Sequence, residues 1–175
     1  MDATGIVPRI HIVGRKNAGK TTLVCELVGE LSRRGLRVAT VKHTHHNHEL
    51  DTPGKDSHRH RISGAVAVGV LSAEMTGVFI PQRRETDEQT RYAVFRKLFQ
   101  DVDLIVVEGD LSTTALKLEV WRSELRSDPY AASDESIGVV ISDDDPAVSC
   151  EVWPRDGLSK IADHLLQRLK LPVSG

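Results

Sequence analysis

A chain of 175 residues, 39% of them hydrophobic, can bury one good core and suits a single domain, taken here as residues 1–175. The formal net charge of −2 gives no global electrostatic case for nucleic acid, and no apolar run approaches the ~20 residues of a membrane span. Cys25 and Cys150 form neither a metal spacing nor a disulfide framework, and residues 1–8 lack the basic and apolar regions of a signal peptide, so a reduced, cytoplasmic setting is expected.

Residues 8–14 read as a buried first strand, and Leu23, Val24, Leu27, Val28 and Leu31 repeat at helical spacing through Arg34, where Gly35 stops the helix. Arg37 to Lys42 reads as a second strand, so the chain opens with the strand, helix, strand order of a parallel sheet. Between the first strand and the helix lies Gly14-Arg15-Lys16-Asn17-Ala18-Gly19-Lys20-Thr21-Thr22, which matches G-x-x-x-x-G-K-[ST] at every fixed position. Gly14 and Gly19 let successive N–H groups turn inward around phosphate oxygens, and the helix N-terminus adds partial positive charge. Lys20 is expected on the β/γ-phosphates and the Thr21 hydroxyl on a bridging Mg²⁺. The loop reads phosphates and leaves the base open. The bland alternative is a glycine-containing turn with a surface lysine. His11 reads as a packed or edge histidine and Cys25 as a small core residue.

From His43 to His60 the character changes: His43, His45, His46, His48, His58 and His60 fall within eighteen residues, with Asp51, Lys55, Asp56, Arg59 and Arg61 interspersed. Pro53-Gly54 divides this stretch into a loop and a short helix ending near Gly64. Three readings stay open: a pocket for a second anionic ligand or cofactor, a transition-metal site, or a solvated polar loop.

Val66 to Leu71 and Gly77 to Ile80 pair as a hairpin, and Thr86 with Gln89 fits a capping box opening a helix whose Tyr92, Phe95 and Leu98/Phe99 share a core-facing side. Asp103 to Gly109 is a buried strand ending in Glu108, at the sheet's carboxyl edge, where ligands bind in open α/β sheets. Glu108 can hold Mg²⁺ directly or through water, orient an attacking water, or cap a neighbouring helix or loop. Leu116 to Trp121 alternates as a strand, and a polar, proline-containing connection leads to the buried strand Ile137 to Ile141. Asp143 follows it as a capping or turn aspartate, with base recognition as the second reading. Leu158, Ile161, Ala162, Leu165, Leu166 and Leu169 make a terminal amphipathic helix. The fold class expected is α/β: a P-loop NTPase-like, mostly parallel sheet flanked by helices, with a β-hairpin insertion.

The phosphate loop, Lys42-His43-Thr44-His45-His46, Asp51-Thr52-Pro53-Gly54-Lys55-Asp56-Ser57, Arg59 with Arg61, Gly64-Ala65 and Val107-Glu108-Gly109 together resemble the MobB family of molybdopterin-guanine dinucleotide biosynthesis adaptor proteins. The resemblance covers about the first 120 residues, continuing in part to Asp143. It implies a homodimeric GTP-binding protein with weak GTPase activity that assists the guanylyltransferase joining GMP to molybdopterin. It assigns Gly14, Arg15, Lys16, Asn17, Ala18, Gly19, Lys20, Thr21 and Thr22 to GTP and Mg²⁺, Lys20 and Glu108 to catalysis, and Thr21 with Glu108 to the metal. Lys42, His43, His45, His46, Asp51, Lys55, Asp56, Arg59 and Arg61 would face molybdopterin, the partner enzyme or an anion. Two positions depart from the family: Asp110-Leu111 stands where Phe-Lys is usual, and Leu116-Lys117-Leu118-Glu119 lacks the proline of Pro-Lys-Ile-Glu. The competing classes are a P-loop kinase or phosphotransferase, with Arg83, Arg84 and Arg91 in a lid, and a metal-insertion NTPase using the histidines.

Overall fold

The computed structural model describes residues 7–44, 49–82, 87–99 and 101–172. In chain order its strands and α-helices are β1 (Arg9–Val13), α1 (Lys20–Arg33), β2 (Val38–Lys42), α2 (Asp56–Ile62), β3 (Val68–Leu71), β4 (Thr76–Phe79), α3 (Glu88–Leu98), β5 (Leu104–Glu108), β6 (Leu116–Val120), β7 (Ile137–Ile141), β8 (Glu151–Trp153) and α4 (Leu158–Leu169). They divide into two compact units, Met1–Thr44 with Phe95–Gly175, and His45–Val94.

The first unit is built on a six-stranded sheet. The strand order is β2-β5-β1-β6-β7-β8, and every pairing in this sheet is parallel. All carboxyl ends therefore share one edge, which brings the residues after β1, β2, β5, β6 and β7 to the same side of the sheet.

The two faces of this sheet differ. Ile10, Ile12, Leu104, Val106, Leu118, Val139 and Ile141 face a core completed by Leu23, Leu27 and Leu31 of α1 and Ile161, Leu165 and Leu166 of α4. Each leucine buried here contributes about 2 kcal/mol. Opposite them, His11, Lys117 and Glu119 are 0%, 3% and 0% exposed, so the alternation in β6 does not mark a solvated face. Those three side chains bond to irregular backbone.

Asp103, just before β5, clamps the start of β2: its N–H donates to the Arg37 carbonyl at 2.7 Å and its carboxylate accepts the Arg37 N–H at 2.7 Å. The expected first helix, second strand and terminal helix are present at nearly the expected bounds. β8 is a strand the sequence reading missed, because three residues are too few for a period. Cys25 is exposed and not in the core: it lies beside Glu26 on the polar side of α1 while Leu23, Val24 and Leu27 face inward.

The second unit holds α2 and the two strands β3 and β4, which form the expected antiparallel hairpin, with Val68 opposite Phe79 and Leu71 opposite Thr76. The helix α3 runs across the division between the units. Thr86 lies outside the described residues, and the cap is Asp87, whose carboxylate accepts the Thr90 N–H at 2.9 Å. Tyr92 is buried and Phe95 stacks on Phe99 at 5.6 Å, but Leu98 is 54% exposed, so it does not share their side. Among the described residues no helix is long and apolar enough to cross a membrane.

Candidate nucleotide site

The loop between β1 and α1 has the backbone of an anion cradle. Gly14, Asn17 and Gly19 sit at φ 137°, 65° and 100°, positive-φ backbone of the kind found where N–H groups turn inward around an anion. Gly14 also passes against the neighbouring strand: a Cβ there would lie 2.4 Å from the Val120 carbonyl oxygen. Gly19 precedes the first turn of α1 without a capping side chain, leaving the N-terminal N–H groups of α1 free of one. Ala18 is buried, whereas Lys16, Asn17 and Thr22 are not.

Lys20 folds back over the cradle, its ammonium donating to the Gly14 carbonyl at 2.9 Å and the Arg15 carbonyl at 2.7 Å. Burial holds that ammonium below its usual pKa, with Glu108 opposing the shift and Lys42 adding to it. Both therefore lie within electrostatic reach of Lys20. The Thr21 hydroxyl donates to Glu108 Oε1 at 2.9 Å. Thr21 and Glu108 thus form an all-oxygen donor pair with one negative charge, which fits a hard divalent cation such as Mg²⁺.

Glu108 is aimed by the backbone after it. The Gly109 N–H donates to the Ile12 carbonyl at 2.9 Å, and the Glu108 carbonyl accepts the His43 N–H at 2.9 Å. Gly109 has φ 97°, and a Cβ there would approach the His43 carbonyl to 2.9 Å. Lys42, register partner of Glu108 across β2 and β5, donates to the same Oε1 at 2.7 Å. The sequence groups Lys42 with the histidine-rich segment; in the structure its ammonium donates to the carboxylate that ends β5.

A second set of contacts steadies the outer side of the loop. Arg15 donates to the Asp128 carbonyl at 3.2 Å and stacks over Tyr130, 4.6 Å from the ring centroid. Arg122 donates to the Asn17 carbonyl, and the Trp121 indole N–H to the Ser127 carbonyl at 2.8 Å. Beneath them Glu119 accepts the N–H groups of Tyr130 and Ala131 at 2.7 and 2.8 Å, opening a 3₁₀ turn over Tyr130–Ala132. Burial pushes the Glu119 carboxyl up, against the pull of these two bonds. Sequence reasoning named none of Arg122, Tyr130 or Glu119 as site residues; the one available signal was two charges inside an otherwise apolar strand.

Near Glu108 the departure at Asp110-Leu111 is accommodated structurally. Asp110 is buried at φ 65° and accepts the Ser112 hydroxyl at 2.7 Å. The Leu111 carbonyl accepts the Lys117 ammonium at 3.0 Å, which also reaches Asp134 at 3.0 Å. His11 is packed as expected, its Nδ1 3.0 Å from the Gly109 carbonyl and Nε2 3.3 Å from the Thr113 hydroxyl. Asp143 accepts the Asp156 N–H at 2.9 Å, a bond across thirteen residues to the turn before α4 in place of the local turn or cap read from sequence.

His45 and His46, with His48, lie outside the described residues, as do Arg83 and Arg84. In the second unit, Asp51 is buried, its Oδ1 accepting the Thr52 N–H and the Ser57 hydroxyl, both at 2.8 Å. Lys55 and Asp56 open α2 and Arg59 lies along it, all three exposed. Arg61 pairs with Glu49, which has His58 Nε2 at 3.6 Å. Glu49 was not singled out in the sequence, because its partner Arg61 stands twelve residues away. Among the described residues no three His, Cys, Asp or Glu side chains gather as a metal site.

Comparison with known proteins places this arrangement. Residues 9–143 match the family model described as MobB, molybdopterin guanine dinucleotide synthesis protein B. The molybdopterin-guanine dinucleotide biosynthesis adapter protein of Escherichia coli is 32% identical over 117 residues, 67% of each chain. That of Haemophilus influenzae is 29% identical over 161 residues, 91% of this chain and 88% of its own. Among solved structures, MobB of Bacillus subtilis superposes with TM-score 0.68 at 22% identity, covering 92% of this chain and 97% of that one. The MobB homologue of Bacillus stearothermophilus gives 0.65 at 24%, covering 93% and 97%. At these identities the structures speak for the fold. The family model, spanning most of the chain, settles membership: this protein belongs to the MobB family of molybdopterin guanine dinucleotide biosynthesis.

Proposed function

We propose that this protein is a cytoplasmic, homodimeric GTP-binding accessory factor that assists a guanylyltransferase in attaching GMP to molybdopterin. The observation that carries the nucleotide part is the grouping of Lys20, Thr21 and Glu108 at one mouth of the cradle, with Thr21 and Glu108 2.9 Å apart. On binding, Lys20 leaves the Gly14 and Arg15 carbonyls for the phosphates, and the loop N–H groups with the α1 N-terminus take the remaining oxygens. Thr21 and Glu108 hold Mg²⁺, which supplies charge neutralisation to the phosphates when bound. Glu108 completes the water or metal position, which is consistent with weak hydrolysis.

Family membership supports GTP as the nucleotide and the guanylyltransferase and molybdopterin as partners. The segment carrying His43, His45, His46, Asp51, Lys55, Asp56, Arg59 and Arg61 is the proposed partner-facing or molybdopterin-facing surface. Leu50, Val66, Leu71 and Met75 of the second unit are 77%, 89%, 83% and 74% exposed, apolar side chains that a homodimer interface could cover.

Calorimetric titration with Mg²⁺-GTP and Mg²⁺-ATP tests the reading. GTP binds the wild-type protein, and Lys20→Ala lowers affinity by about a hundredfold or more, since it removes a site cation and no core volume. Retained affinity at unchanged stability refutes the loop as the site; tight ATP with no GTP binding refutes the choice of nucleotide.

A further inference from the structure

One carboxylate oxygen at the mouth of the cradle serves two donors. The Thr21 hydroxyl and the Lys42 ammonium both donate to Oε1 of Glu108, at 2.9 and 2.7 Å. The oxygen that the loop's chemistry offers to a divalent cation is thus already neutralised by a side chain of the protein. The placement is built into the sheet, because Lys42 and Glu108 end neighbouring parallel strands in register and the His43 N–H ties the two strand ends together. Their burial is unequal: the Glu108 side chain is 13% exposed and that of Lys42 is 67% exposed. The carboxylate is held in place while its counter-ion reaches it from solvent, and an ion pair with one partner this exposed is weak enough to exchange.

We propose that Lys42 is the resident counter-ion of the metal position: its ammonium neutralises Glu108 while no divalent cation is bound, and it yields Oε1 when Mg²⁺ arrives with the nucleotide. The inference rests on the nucleotide site proposed above. Its chemical content is electrostatic. A triphosphate entering without metal brings several negative charges toward Glu108, and Lys42, the cation bonded directly to that carboxylate, lessens the repulsion alongside Lys20. When Mg²⁺ is present it takes over that neutralisation, and Lys42 becomes dispensable. Lys42 therefore sets how strongly nucleotide binding depends on Mg²⁺; it is a positioning and compensating residue with no part in bond making.

The test is a titration of a fluorescent GTP analogue into wild type, Lys42→Met, Glu108→Gln and the double variant, in excess Mg²⁺ and in EDTA. Thermal denaturation of each variant checks folding, which a change at the exposed Lys42 does not threaten. In EDTA, Lys42→Met binds about tenfold more weakly than wild type, while in excess Mg²⁺ its affinity changes by less than about threefold. The Mg²⁺ concentration needed for half-maximal binding falls in Lys42→Met, because no ammonium has to be displaced. In the double variant the EDTA defect disappears, since Glu108→Gln removes the charge that Lys42 compensates. An equal loss with and without Mg²⁺ overturns the proposal by making Lys42 a direct phosphate ligand, and so does a defect that persists in the double variant. No effect of Lys42→Met under either condition also overturns it. Absence of binding by the wild type in any condition overturns the nucleotide site itself, a different result from a wild type that binds and a variant that does not respond.

Discussion

Gly14→Ala is the sharpest test of how the loop is held. The new Cβ would lie 2.4 Å from the Val120 carbonyl oxygen, well inside any contact real Cβ atoms make, with φ at 137°. The far end of a flexible side chain could move aside, but here the obstacle is backbone of β6, bonded to β1 on one side and β7 on the other. Relief requires shifting a central strand, at about 1 kcal/mol for each ladder bond weakened. Holding alanine at this φ adds about 1–2 kcal/mol. The expected total is about 3 kcal/mol, equivalent to a fall in Tm of roughly 6–12 °C for a chain of this size. Two other glycines serve as controls. Gly19 has φ 100° but its Cβ would meet only a Val120 methyl at 3.9 Å, so Gly19→Ala should show backbone strain alone, about 1–2 kcal/mol. Gly29 is an exposed mid-helix residue with nothing within 4 Å, and Gly29→Ala should stabilise by about 0.5–1 kcal/mol. Denaturant unfolding of the three variants gives the order Gly14, Gly19, Gly29. A Gly14→Ala cost no larger than that of Gly19→Ala would show that the contact with β6 does not govern the loop.

Two further expectations concern pH. Burial raises the Glu119 carboxyl above 4.5, so its favourable contribution is complete below about pH 4.5 and is lost as pH rises through the folded-state value. The Tm of wild type minus that of Glu119→Gln should therefore fall as pH rises from about 4 toward 7, and a flat or rising difference contradicts the account. Asp103 behaves oppositely: the Arg37 N–H holds its carboxyl below 3.8, so its contribution is present above that value and lost as pH falls through the folded-state pKa. Asp103→Ala should cost about 0.5–1 kcal/mol at about pH 7 by chemical denaturation, the cost shrinking in acid; a cost that persists at about pH 2.5 would locate the effect elsewhere.

The parts legible in the sequence were those where one local rule suffices. The phosphate loop declares itself by fixed residues at fixed spacing, α1 and α4 by apolar period, and Glu108 by its position after a continuous apolar strand. The pairing of Lys42 with Glu108 was not legible: in sequence Lys42 adjoins the histidines, while Glu108 lies 66 residues away and only the parallel register of β2 with β5 brings them together. Cys25 was misread because its small side chain suits a core and a surface equally well. β8 was missed because its length is below any period.

The charges in β1 and β6 follow a rule that sequence period cannot express. One face of the sheet is covered by α1 and α4, which satisfy their own backbone, so Ile10, Ile12, Leu118 and Val120 can be purely apolar there. The opposite face meets irregular connections, whose N–H and C=O groups have no helical partners and cannot be buried unpaired. His11, Lys117 and Glu119 supply the missing bonds: His11 to the Gly109 carbonyl, Lys117 to the Leu111 carbonyl, Glu119 to the N–H groups of Tyr130 and Ala131. Two of these three positions alternate with apolar residues along β6 and so imitate a half-exposed strand, although both are buried. The same bonds fix the segments that follow Glu108 and flank Arg15. Polar residues inside the sheet are thus what allows loops, instead of helices, to be packed tightly beside the phosphate cradle.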